Sequence, residues 1–388
     1  MNEQERRALM AGEFAARFTG APTVWVQSPG RVDLMGSHTD YNLGYVLTMT
    51  INRTTWIAAR PRDDRQVIVH SLNVDGQAVF SLDDISFDAA APWSNYVRGV
   101  AAVFQAEGYP SRGFEGLVHS TIPISSGLSS SAALEVAAAT LFRVLCGWEI
   151  DPVRLALLCQ RAENSFVGVN CGILDQYTVA MGRADHALVL DCRDLTSRAS
   201  LIAPGIQVVI CDTCTRRELA GSEYAQRRAQ CEEGAARLAQ FYPGVKALRD
   251  VTPVQLDAHR ADLPDVVMRR CRFIVEESQR VLDMADALSR GDRAAIGRLA
   301  ADSFVGARDL YEITSPEMLA MMDAMRGGPG IVGARQAGAG FGGCMVAFVE
   351  RAQVDAFARH VEQAYRSATG IAPQVYAVQA VERAGPLG

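Results

Sequence analysis

Residues 30–45 read GRVDLMGSHTDYNLGY and place an Arg, two Asp and a His among glycines and apolar residues. The first half of this stretch is typical of the end of a strand, and the second half is typical of a turn. Charged side chains are costly to bury in such a place unless they are paired or bind something. Arg31, His38 and Asp40 are therefore candidates for a site, and the small Ser37 leaves open what that site binds.

The composition predicts a soluble globular protein with room for two domains. Of its 388 residues, 49% are hydrophobic and 21% are charged, so the chain can bury a large core, and two domains are more common than one at this length. The net charge of −6 argues against nucleic acid or an anionic membrane as a partner. No signal peptide and no apolar run long enough for a membrane span is visible, so we expect a cytoplasmic enzyme or binding protein.

Lysine is nearly absent, which restricts the ways in which the chain could bind a nucleotide. Lys246 is the only lysine, and it lies in neither a GxxxxGK[ST] nor a VAIK context, which argues against P-loop NTPases and protein kinases. If the chain binds ATP, then backbone amides, hydroxyls and arginine must hold the phosphates. Cys211 and Cys214 form a lone CxxC, and without a second Cys or His pair we expect free thiols there.

The order of strand-like and helical runs predicts an α+β fold with two lobes. In the first half, strand-like runs such as RQVIVHSL and HALVLDC alternate with helical runs near 131–145 and 152–166. In the second half, the strand-like IQVVICDT leads into long helices, and the apolar stripe of the helix at 267–290 indicates a core face. We predict an N-terminal lobe of residues 1–200, a C-terminal lobe of residues 201–388, and a site in the cleft between them.

Residues 123–142, PISSGLSSSAALEVAAATLF, combine a Ser/Gly-rich turn with an Ala-rich helix. Such a turn aims unpaired backbone N–H groups at an anion, and the helix dipole adds to the attraction. Ser129, Ser130 and Ser131 add hydroxyls that can bind phosphate oxygens or Mg²⁺. The pattern by itself is equally compatible with a flexible surface turn that ends in a helix N-cap.

Two carboxylates follow in RAENSFVGVNCGILDQYTVAMG, residues 161–182. Glu163 falls at the end of an amphipathic helix, and Asp175 lies in an apolar stretch where a lone carboxylate must be paired or functional. Near a phosphate-binding loop, one carboxylate suits a metal ion, and the other suits the orientation or deprotonation of a hydroxyl. An N-cap and a surface Glu would explain the same residues without a site.

A third segment, GARQAGAGFGGCMVAFV at residues 333–349, contains the GxGxxG pattern of dinucleotide-binding folds. Its glycines precede a strand-like run rather than a helix and lie near the C-terminus, which rejects the dinucleotide interpretation. We expect instead a glycine-rich turn whose backbone closely approaches a ligand or another loop.

In this order and spacing, the three segments resemble the signature motifs of the GHMP kinases, and GRVDLMGSHTDYN is similar to the galactokinase signature in particular. The likeness runs from about residue 20 to about residue 350, because four further segments also resemble galactokinases: APWSNYVRGV (91–100), GSEYAQRRAQCEE (221–233), RFIVEESQRVL (272–282) and ARDLYEITSPE (307–317). The resemblance implies a two-lobed GHMP kinase fold, ATP with Mg²⁺, and phosphoryl transfer to the anomeric hydroxyl of galactose or a galactose-like sugar.

The resemblance also gives roles to residues by their positions. Asp175 would contact O1 of the sugar as base or orienting carboxylate, and Arg31 would stabilise charge on the moving phosphoryl group. Glu163 and one of Ser130 or Ser131 would hold Mg²⁺. The residues expected to bind the sugar are Ser37, His38, Asp40, Gly172 and Tyr224. Those expected to bind ATP are Trp93, near the adenine, and Ser125, Ser126, Gly127, Ser129, Ser130 and Ser131.

The chain departs from the galactokinase pattern at Ser37, where the family has a glutamate that accepts a hydrogen bond from the C6 hydroxyl. Losing a buried acceptor matched to a substrate hydroxyl removes about 1–3 kcal/mol of discrimination. The remaining departures are Asp33 for Asn, Leu43 for Gly, Thr48 for Pro, Ser125 and Ser126 for glycines, and Arg217 for His.

Several substrates are compatible with Ser37. The sugar could lack C6, as L-arabinose does, or carry a C6 carboxylate that pairs with Arg217, as galacturonate does. Ser37 could also reach O6 of galactose through a water, and neutral drift in a galactokinase would explain the same changes.

A different class, the non-catalytic sugar sensors, is also related to galactokinases. In this chain the SSSAALE segment is intact and Arg31, Glu163 and Asp175 are all present, which favours catalysis. As partners we expect only the sugar and ATP, bound by a monomer or a weak homodimer, with neither nucleic acid nor membrane.

Overall fold

The computed structural model describes residues 1–124, 126–215 and 221–388. Ser125 and Arg217, which the sequence analysis singled out, lie outside these residues. In the described part of the chain, strands form two sheets and helices pack on them, which confirms the α+β class. The described helices include none with the length and apolarity that crossing a membrane requires.

The first sheet comes mainly from the N-terminal half of the chain. Its strands are β1 (Val24–Met35), β2 (Tyr45–Pro61), β3 (Gln66–Ser71), β4 (Gln77–Ser81), β5 (Phe114–Ser120), β6 (His186–Asp191) and β7 (Thr196–Leu201). The order β1–β2–β5–β3–β4 crosses the sheet, while β6 pairs with the first residues of β2, and β7 pairs with β6. Of these pairs, β3 with β5 is parallel and the others are antiparallel.

The second sheet is antiparallel and comes from the C-terminal half. It consists of β8 (Ile206–Asp212), β9 (Ile331–Gln336), β10 (Cys344–Glu350) and β11 (Gln374–Val378), in the order β11–β8–β10–β9. A short last strand, β12 (Gly385–Pro386), returns to the first sheet and pairs with β1. The chain changes sheet between Leu201 and Ile206, beside the boundary expected for the two lobes, and the division into lobes itself stays a prediction.

Helices cover both sheets, and their ends follow local sequence signals. They are α1 (Glu3–Arg17), α2 (Asn95–Ala106), α3 (Ser130–Cys146), α4 (Pro152–Ala162), α5 (Leu174–Met181), α6 (Gly221–Leu238), α7 (Pro253–Ala258), α8 (Asp265–Arg290), α9 (Arg293–Asp309), α10 (Pro316–Arg326) and α11 (Val354–Thr369). Asp151 caps α4 by accepting from the N–H groups of Val153 and Arg154, and Pro152 occupies the first helical position.

The longest of these helices, α8, contributes to two parts of the core. Phe273 and Ile274 pack in one cluster, and Val281 and Met284 pack in a second cluster that also contains residues of β1 and β8. The apolar stripe predicted at 267–290 is therefore a buried core face. Because both sheets share the second cluster with α8, their positions relative to each other are fixed by packing.

The turn between β1 and β2 carries the charged stretch with which the sequence analysis began. Gly36 has φ of 103°, and a Cβ there would come within 2.8 Å of the carbonyl oxygen of Tyr45. Glycine is needed at this point because other residues would be strained and would clash. The turn thereby folds back tightly and places Ser37, His38 and Asp40 beside the end of β1.

Candidate active site

Two cavities share Arg31 and Asp175 as a common wall. The first cavity, of about 540 Å³, is lined by the β1–β2 turn, the residues just before α5, and the start of α6. The second cavity, of about 910 Å³, is lined by the loop before α3 and by residues at and after the end of β8. Molecules bound in the two cavities would therefore meet at this pair of side chains.

Arg31 of β1 and Asp175 of α5 form an ion pair. Nε of Arg31 donates to Oδ1 of Asp175 at 2.7 Å, and Nη2 donates to the same oxygen. Nη1 of Arg31 donates to the carbonyl of Gly127 at 2.6 Å, and the hydroxyl of Ser129 donates to Oδ2 of Asp175. The Asp175 side chain nevertheless remains 27% exposed, so a ligand hydroxyl can reach it.

The loop before α3 presents its hydroxyls to the second cavity. Ser129 has φ of 59°, and no described side chain caps the start of the helix, so the N-cap interpretation is wrong. The Ser129 hydroxyl donates to Asp175 instead, which leaves the first N–H groups of this 17-residue helix available to an anion. The predicted ATP-binding residues that line the cavity are Ser126, Gly127, Ser129, Ser130 and Ser131.

Glu163 begins a π-helical turn directly after α4 and is only 4% exposed, so the surface-Glu interpretation is wrong. Its Oε2 accepts from the amide of Gln176 at 2.6 Å and from the thiol of Cys171 at 3.1 Å. Burial raises the pKa of Glu163, while hydrogen bonds from Cys171 and Ser131 oppose that rise. The structure thus brings Glu163 together with Ser131, one of the two serines predicted to hold Mg²⁺ with it.

A second buried carboxylate, Glu135 of α3, lies close to Glu163. The amide of Gln176 also donates to Oε2 of Glu135, at 2.9 Å, and so bridges the two acids. Burial, followed by the charge of Glu163, raises the pKa of Glu135 well above its usual value. Its Oε1 is buried and has no partner among the described residues. The concentration of carboxylates at this place favours a nearby cation.

The donor set at Glu163 fits Mg²⁺. A carboxylate and a hydroxyl are the oxygen ligands that this ion prefers, and it commonly takes only one or two ligands from the protein beside phosphate and water. The described residues contain no group of three or more His, Cys, Asp or Glu that could hold a metal ion by themselves. A metal here would therefore have to be bound together with phosphate.

Asp40, predicted to bind the sugar, starts the 3₁₀ helix Asp40–Asn42 and lies against Gly172. A Cβ on Gly172 would come within 2.2 Å of Oδ2 of Asp40, so only glycine leaves this carboxylate in place. Burial raises the pKa of Asp40 to about 6; the N–H of Tyr41 opposes the rise, and the charge of Asp175 adds to it. The ionised carboxylate can accept hydrogen bonds from two adjacent hydroxyls.

His38 lines the first cavity, but both of its ring nitrogens also contact protein. Nε2 lies 2.8 Å from the carbonyl oxygen of Ala339, and because a carbonyl only accepts, Nε2 carries the proton. Nδ1 lies 2.9 Å from the hydroxyl of Tyr41, and the ring of Tyr224 packs at a centroid distance of 5.3 Å. His38 therefore ties the β1–β2 turn to the glycine-rich turn, and Tyr224 completes this wall.

Trp93, predicted to lie near the adenine, packs in the 3₁₀ turn Pro92–Ser94 against the core of the first sheet. It is not among the described residues that line either cavity. Packing the large apolar indole on apolar residues is lower in free energy than leaving it in solvent, which explains this position. A contact between Trp93 and the adenine stays a prediction.

A buried polar network that the sequence analysis did not identify lies beside Ser37. Arg335 of β9 is 0% exposed; its Nη2 donates to Ser37 Oγ at 2.9 Å and to Glu277 Oε1 at 3.2 Å, and its Nε donates to Ser303 Oγ at 3.0 Å. The hydroxyl of Ser37 donates to Oδ2 of Asp33 at 3.0 Å. The available sequence signal was the Arg inside the strand IVGARQ, because a buried Arg needs acidic partners.

The sequence matches three family descriptions. These are "Galactokinase galactose-binding signature" over residues 12–61, "GHMP kinases N terminal domain" over residues 95–183, and "GHMP kinases C terminal" over residues 284–367. The first contains the β1–β2 turn, and the second contains the loop before α3, Glu163 and Asp175.

Comparison with known proteins finds relatives along almost the whole chain. The chain is 45% identical to a galactokinase from Roseiflexus sp. (strain RS-1) over 97% of both chains, and 44% identical to one from Chloroflexus aggregans over 92% of both. The crystal structure of Lactococcus lactis galactokinase complexed with galactose superposes with a TM-score of 0.92 at 33% identity, covering 98% of this chain and 99% of that one. Methanococcus jannaschii mevalonate kinase, at 16% identity and a TM-score of 0.64 over 94% of this chain and 100% of that one, shares the fold.

Proposed function

The chain belongs to the GHMP kinase family and, within it, to the galactokinases, and we propose that its first cavity binds galactose and its second binds ATP. The observation that carries this proposal is the Arg31–Asp175 pair, which lines both cavities. A sugar in one cavity and a nucleotide in the other would have their reacting atoms on either side of the same ion pair.

The enzyme phosphorylates the C1 hydroxyl of galactose with ATP and releases galactose 1-phosphate and ADP. A sugar altered at C6 is not favoured as the substrate, because the relatives along the whole chain are galactokinases. The charges of the first cavity also oppose a C6 carboxylate, because four acidic side chains (Asp33, Asp40, Glu163 and Asp175) line it against two basic ones (Arg31 and Arg228). Galacturonate would add a further negative charge among them.

In the proposed mechanism, the O1 hydroxyl of galactose donates to Oδ2 of Asp175, which now accepts from Ser129. As the O1–Pγ bond forms, the bond from Pγ to the β–γ bridging oxygen breaks, and the O1 proton passes to Asp175. Arg31 holds Asp175 in position through Oδ1 and neutralises charge on the transferring phosphoryl group. Alignment and charge neutralisation are the main requirements of such a transfer.

The second cavity supports ATP binding without a lysine. Hydroxyls of the loop before α3 line it, and the N-terminus of α3 supplies N–H groups and a favourable dipole to the phosphates. Lys246, the only lysine of the chain, is not among the described residues that line either cavity. Arg31 is then the cation at the junction of the two cavities.

We also propose Mg²⁺ as the cofactor, held by Glu163 and Ser131 together with ATP oxygens. When bound there, the ion would neutralise phosphate charge as it does in other phosphoryl transfers. The hydrogen bond between these two residues and the raised pKa of Glu163 support the assignment.

Three further proposals concern the whole protein. We propose a monomer or weak homodimer, and sedimentation at several concentrations would test it. We propose a cytoplasmic location because the reaction consumes ATP. We also retain two lobes, residues 1–200 and 201–388, as the parts that form the two sides of the cleft.

The test is turnover by the purified protein with ATP, Mg²⁺ and a sugar panel of D-galactose, L-arabinose, D-galacturonate and D-glucose. We expect ADP release with galactose to exceed that with the others by about tenfold or more in kcat/KM. Phosphorus NMR should place the new phosphate on C1. Absence of turnover with every sugar, or phosphate on another carbon, would contradict the proposal.

A further inference from the structure

Two donors from different parts of the chain hold the same oxygen of Glu163. Its Oε2 accepts from Nε2 of Gln176 at 2.6 Å and from the thiol of Cys171 at 3.1 Å. An ionised carboxylate only accepts, so the thiol supplies its one hydrogen to this bond, and the charge of the acceptor strengthens it. Gln176 belongs to α5, whereas Cys171 belongs to the segment before α5 that lines the first cavity.

The loop of residues 163–172 folds back on Glu163. The backbone N–H groups of Gly168 and Val169 both donate to the carbonyl of Glu163, at 3.0 and 3.1 Å. Gly168 has φ of 87°, and this left-handed conformation turns the chain toward the start of the loop. The N–H of Cys171 then donates to the carbonyl of Val169 at 3.0 Å. The bond from the thiol therefore closes a loop whose backbone already returns to Glu163.

The end of this loop also forms part of the cavity proposed for galactose. Residues 169–172 all line the first cavity. Gly172 packs so closely on Asp40 that a Cβ there would come within 2.2 Å of Oδ2 of Asp40. A sugar bound in this cavity therefore contacts the backbone that carries the Cys171 thiol, and these contacts restrict where the thiol can lie.

We propose that Cys171 is a positioning residue that couples the binding of galactose to the binding of ATP with Mg²⁺. This inference rests on the function proposed above and adds the residue through which the two sites act on each other. Galactose fixes residues 169–172, and the thiol then holds Oε2 of Glu163, so the carboxylate loses less freedom when it binds the metal. By linkage, galactose binding is strengthened by the same factor when the nucleotide and Mg²⁺ are bound.

The test measures the dissociation constant of galactose by calorimetry, first with the protein alone and then with saturating Mg²⁺ and the non-hydrolysable ATP analogue AMP-PNP. The ratio of the two constants is the coupling factor, and for the wild type we expect about five or more. Cys171→Ala should reduce this factor to about two or less. The constant for galactose alone should stay nearly unchanged, because Gln176 still holds Glu163 and the contact of Gly172 with Asp40 remains.

Three further variants separate the hydrogen bond of the thiol from its packing. Cys171→Ser keeps a donor of one hydrogen and should retain most of the coupling factor. Cys171→Val fills the space without a donor and should lose the factor as Cys171→Ala does, which keeps the test decisive if the alanine variant does not fold.

Cys159→Ala is the matched control for the loss of a thiol. Cys159 is 0% exposed and lies in α4, about one helical turn before Glu163. It is not among the described residues that line either cavity. This variant should lower the thermal stability, because it leaves a cavity in the core, and it should keep the coupling factor of the wild type.

The outcomes separate this inference from the function on which it rests. If the wild type fails to bind galactose or AMP-PNP, the proposed function is wrong. If it binds both without coupling, or if Cys171→Ala and Cys171→Val keep the coupling factor of the wild type, the function stands and the role of Cys171 is refuted. An equal loss in Cys159→Ala, or in Cys171→Ser, would show that packing rather than the hydrogen bond of the thiol carries the coupling, and would refute that role as well.

Discussion

At the scale of single residues, the site depends on side chains that are distant in sequence and adjacent in space. Arg31 and Asp175 are 144 positions apart and form an ion pair with an N–O distance of 2.7 Å. Either residue alone would be an uncompensated charge in a largely buried place, which explains why both are needed. Among the described residues, the Ser129 hydroxyl is then the partner of Oδ2 of Asp175 that a sugar hydroxyl must replace.

Replacing Asp175 should therefore remove catalysis without unfolding the protein. We expect Asp175→Asn to lower kcat by about 10²–10⁴-fold, because it removes the carboxylate oxygen that orients the O1 hydroxyl and accepts its proton. Turnover and thermal unfolding would both be measured, with the exposed Asp309→Asn as the control that changes the same group outside the cavities. Undiminished turnover in Asp175→Asn would refute its role.

Asp40 should make sugar recognition dependent on pH. Its pKa is raised to about 6 by burial, and only the ionised form accepts hydrogen bonds from two sugar hydroxyls. We therefore expect kcat/KM for galactose to be constant above about pH 7 and to fall by about tenfold per pH unit well below pH 6. Saturating galactose should move the decline in kcat to lower pH, because the bound sugar stabilises the ionised carboxylate.

Other carboxylates of the cavity also titrate, so the assignment to Asp40 needs a variant. Burial raises the pKa of Asp33 and of Glu163 as well. In Asp40→Asn, kcat/KM for galactose should be lower than in the wild type, and its decline near pH 6 should be absent. If the variant keeps the same decline, another carboxylate is responsible.

At the scale of elements, short turns rather than long helices position the chemistry. The loop before α3 presents hydroxyls, the π-helical turn after α4 buries Glu163, and the glycine-rich turn supports His38 through the carbonyl of Ala339. The loop before α3 and the glycine-rich turn both contain residues with positive φ, such as Ser129 at 59° and Gly340 at 79°, a conformation that few residues adopt. The helices and strands behind these turns supply the rigidity that keeps the side chains in place.

The glycine-rich turn provides a prediction at this scale. Gly340 has φ of 79°, and a Cβ there would lie 2.4 Å from the carbonyl oxygen of Ile313, so Gly340→Ala must displace the turn. Because Ala339 would move with it and release His38, we expect KM for galactose to rise by about fivefold or more with a smaller change in KM for ATP. Steady-state kinetics in both substrates measures this.

Gly108→Ala is the matched control for Gly340→Ala. Gly108 has φ of 85°, but nothing lies within 4 Å of the position of its Cβ. In this variant, alanine must adopt a positive φ, which should lower the stability of the protein by about 1 kcal/mol. Both KM values should stay the same. Equal effects of the two variants would show that backbone strain, and not the contact with Ile313, explains the loss.

At the scale of the whole molecule, the two sheets share a core cluster with α8, and polar contacts add to this packing near the site. Arg249 donates to both carboxylate oxygens of Asp191, at the end of β6, at 3.2 and 3.0 Å, and to the carbonyl of Leu43 at 3.2 Å. Its guanidinium also lies 3.6 Å from the ring centroid of Tyr45. This side chain therefore holds the second half of the chain against the β1–β2 turn.

Removing this contact should destabilise the fold and loosen the sugar cavity. We expect Arg249→Ala to lower the free energy of unfolding by about 1–3 kcal/mol, since a largely buried, bidentate ion pair and a cation–π contact are lost. Arg154→Ala, which removes an exposed ion pair with Glu107, should change stability by about 0.5 kcal/mol or less. Denaturant unfolding compares them, and a similar loss in both would contradict the special role of Arg249.

The sequence predicted the strongly patterned parts of the fold. The strand-like runs at β3, β6 and β8 and the helical runs at α3, α4 and α8 all correspond to observed elements. The longest strand, β2, was not predicted, because its residues are paired on both sides and are buried without a clear alternation. The helices α9 and α10 were also missed, although Ser315 and Pro316 mark the start of α10 with an N-cap and a proline.

Within the site, the sequence showed the chemical character of individual residues but not which residues contact each other. The sequence by itself determined that Asp175 must be paired or functional, that a helix N-terminus follows a Ser/Gly-rich turn, and that any ATP site must do without lysine. These conclusions depend on residue type and near neighbours, which the sequence states directly. Only the tertiary structure decided that Asp33 and Arg335 take the two sides of Ser37, that both nitrogens of His38 meet protein, and that Trp93 packs on the core. Those contacts join residues up to 301 positions apart, and buried polar groups find partners by proximity in space rather than by spacing along the chain.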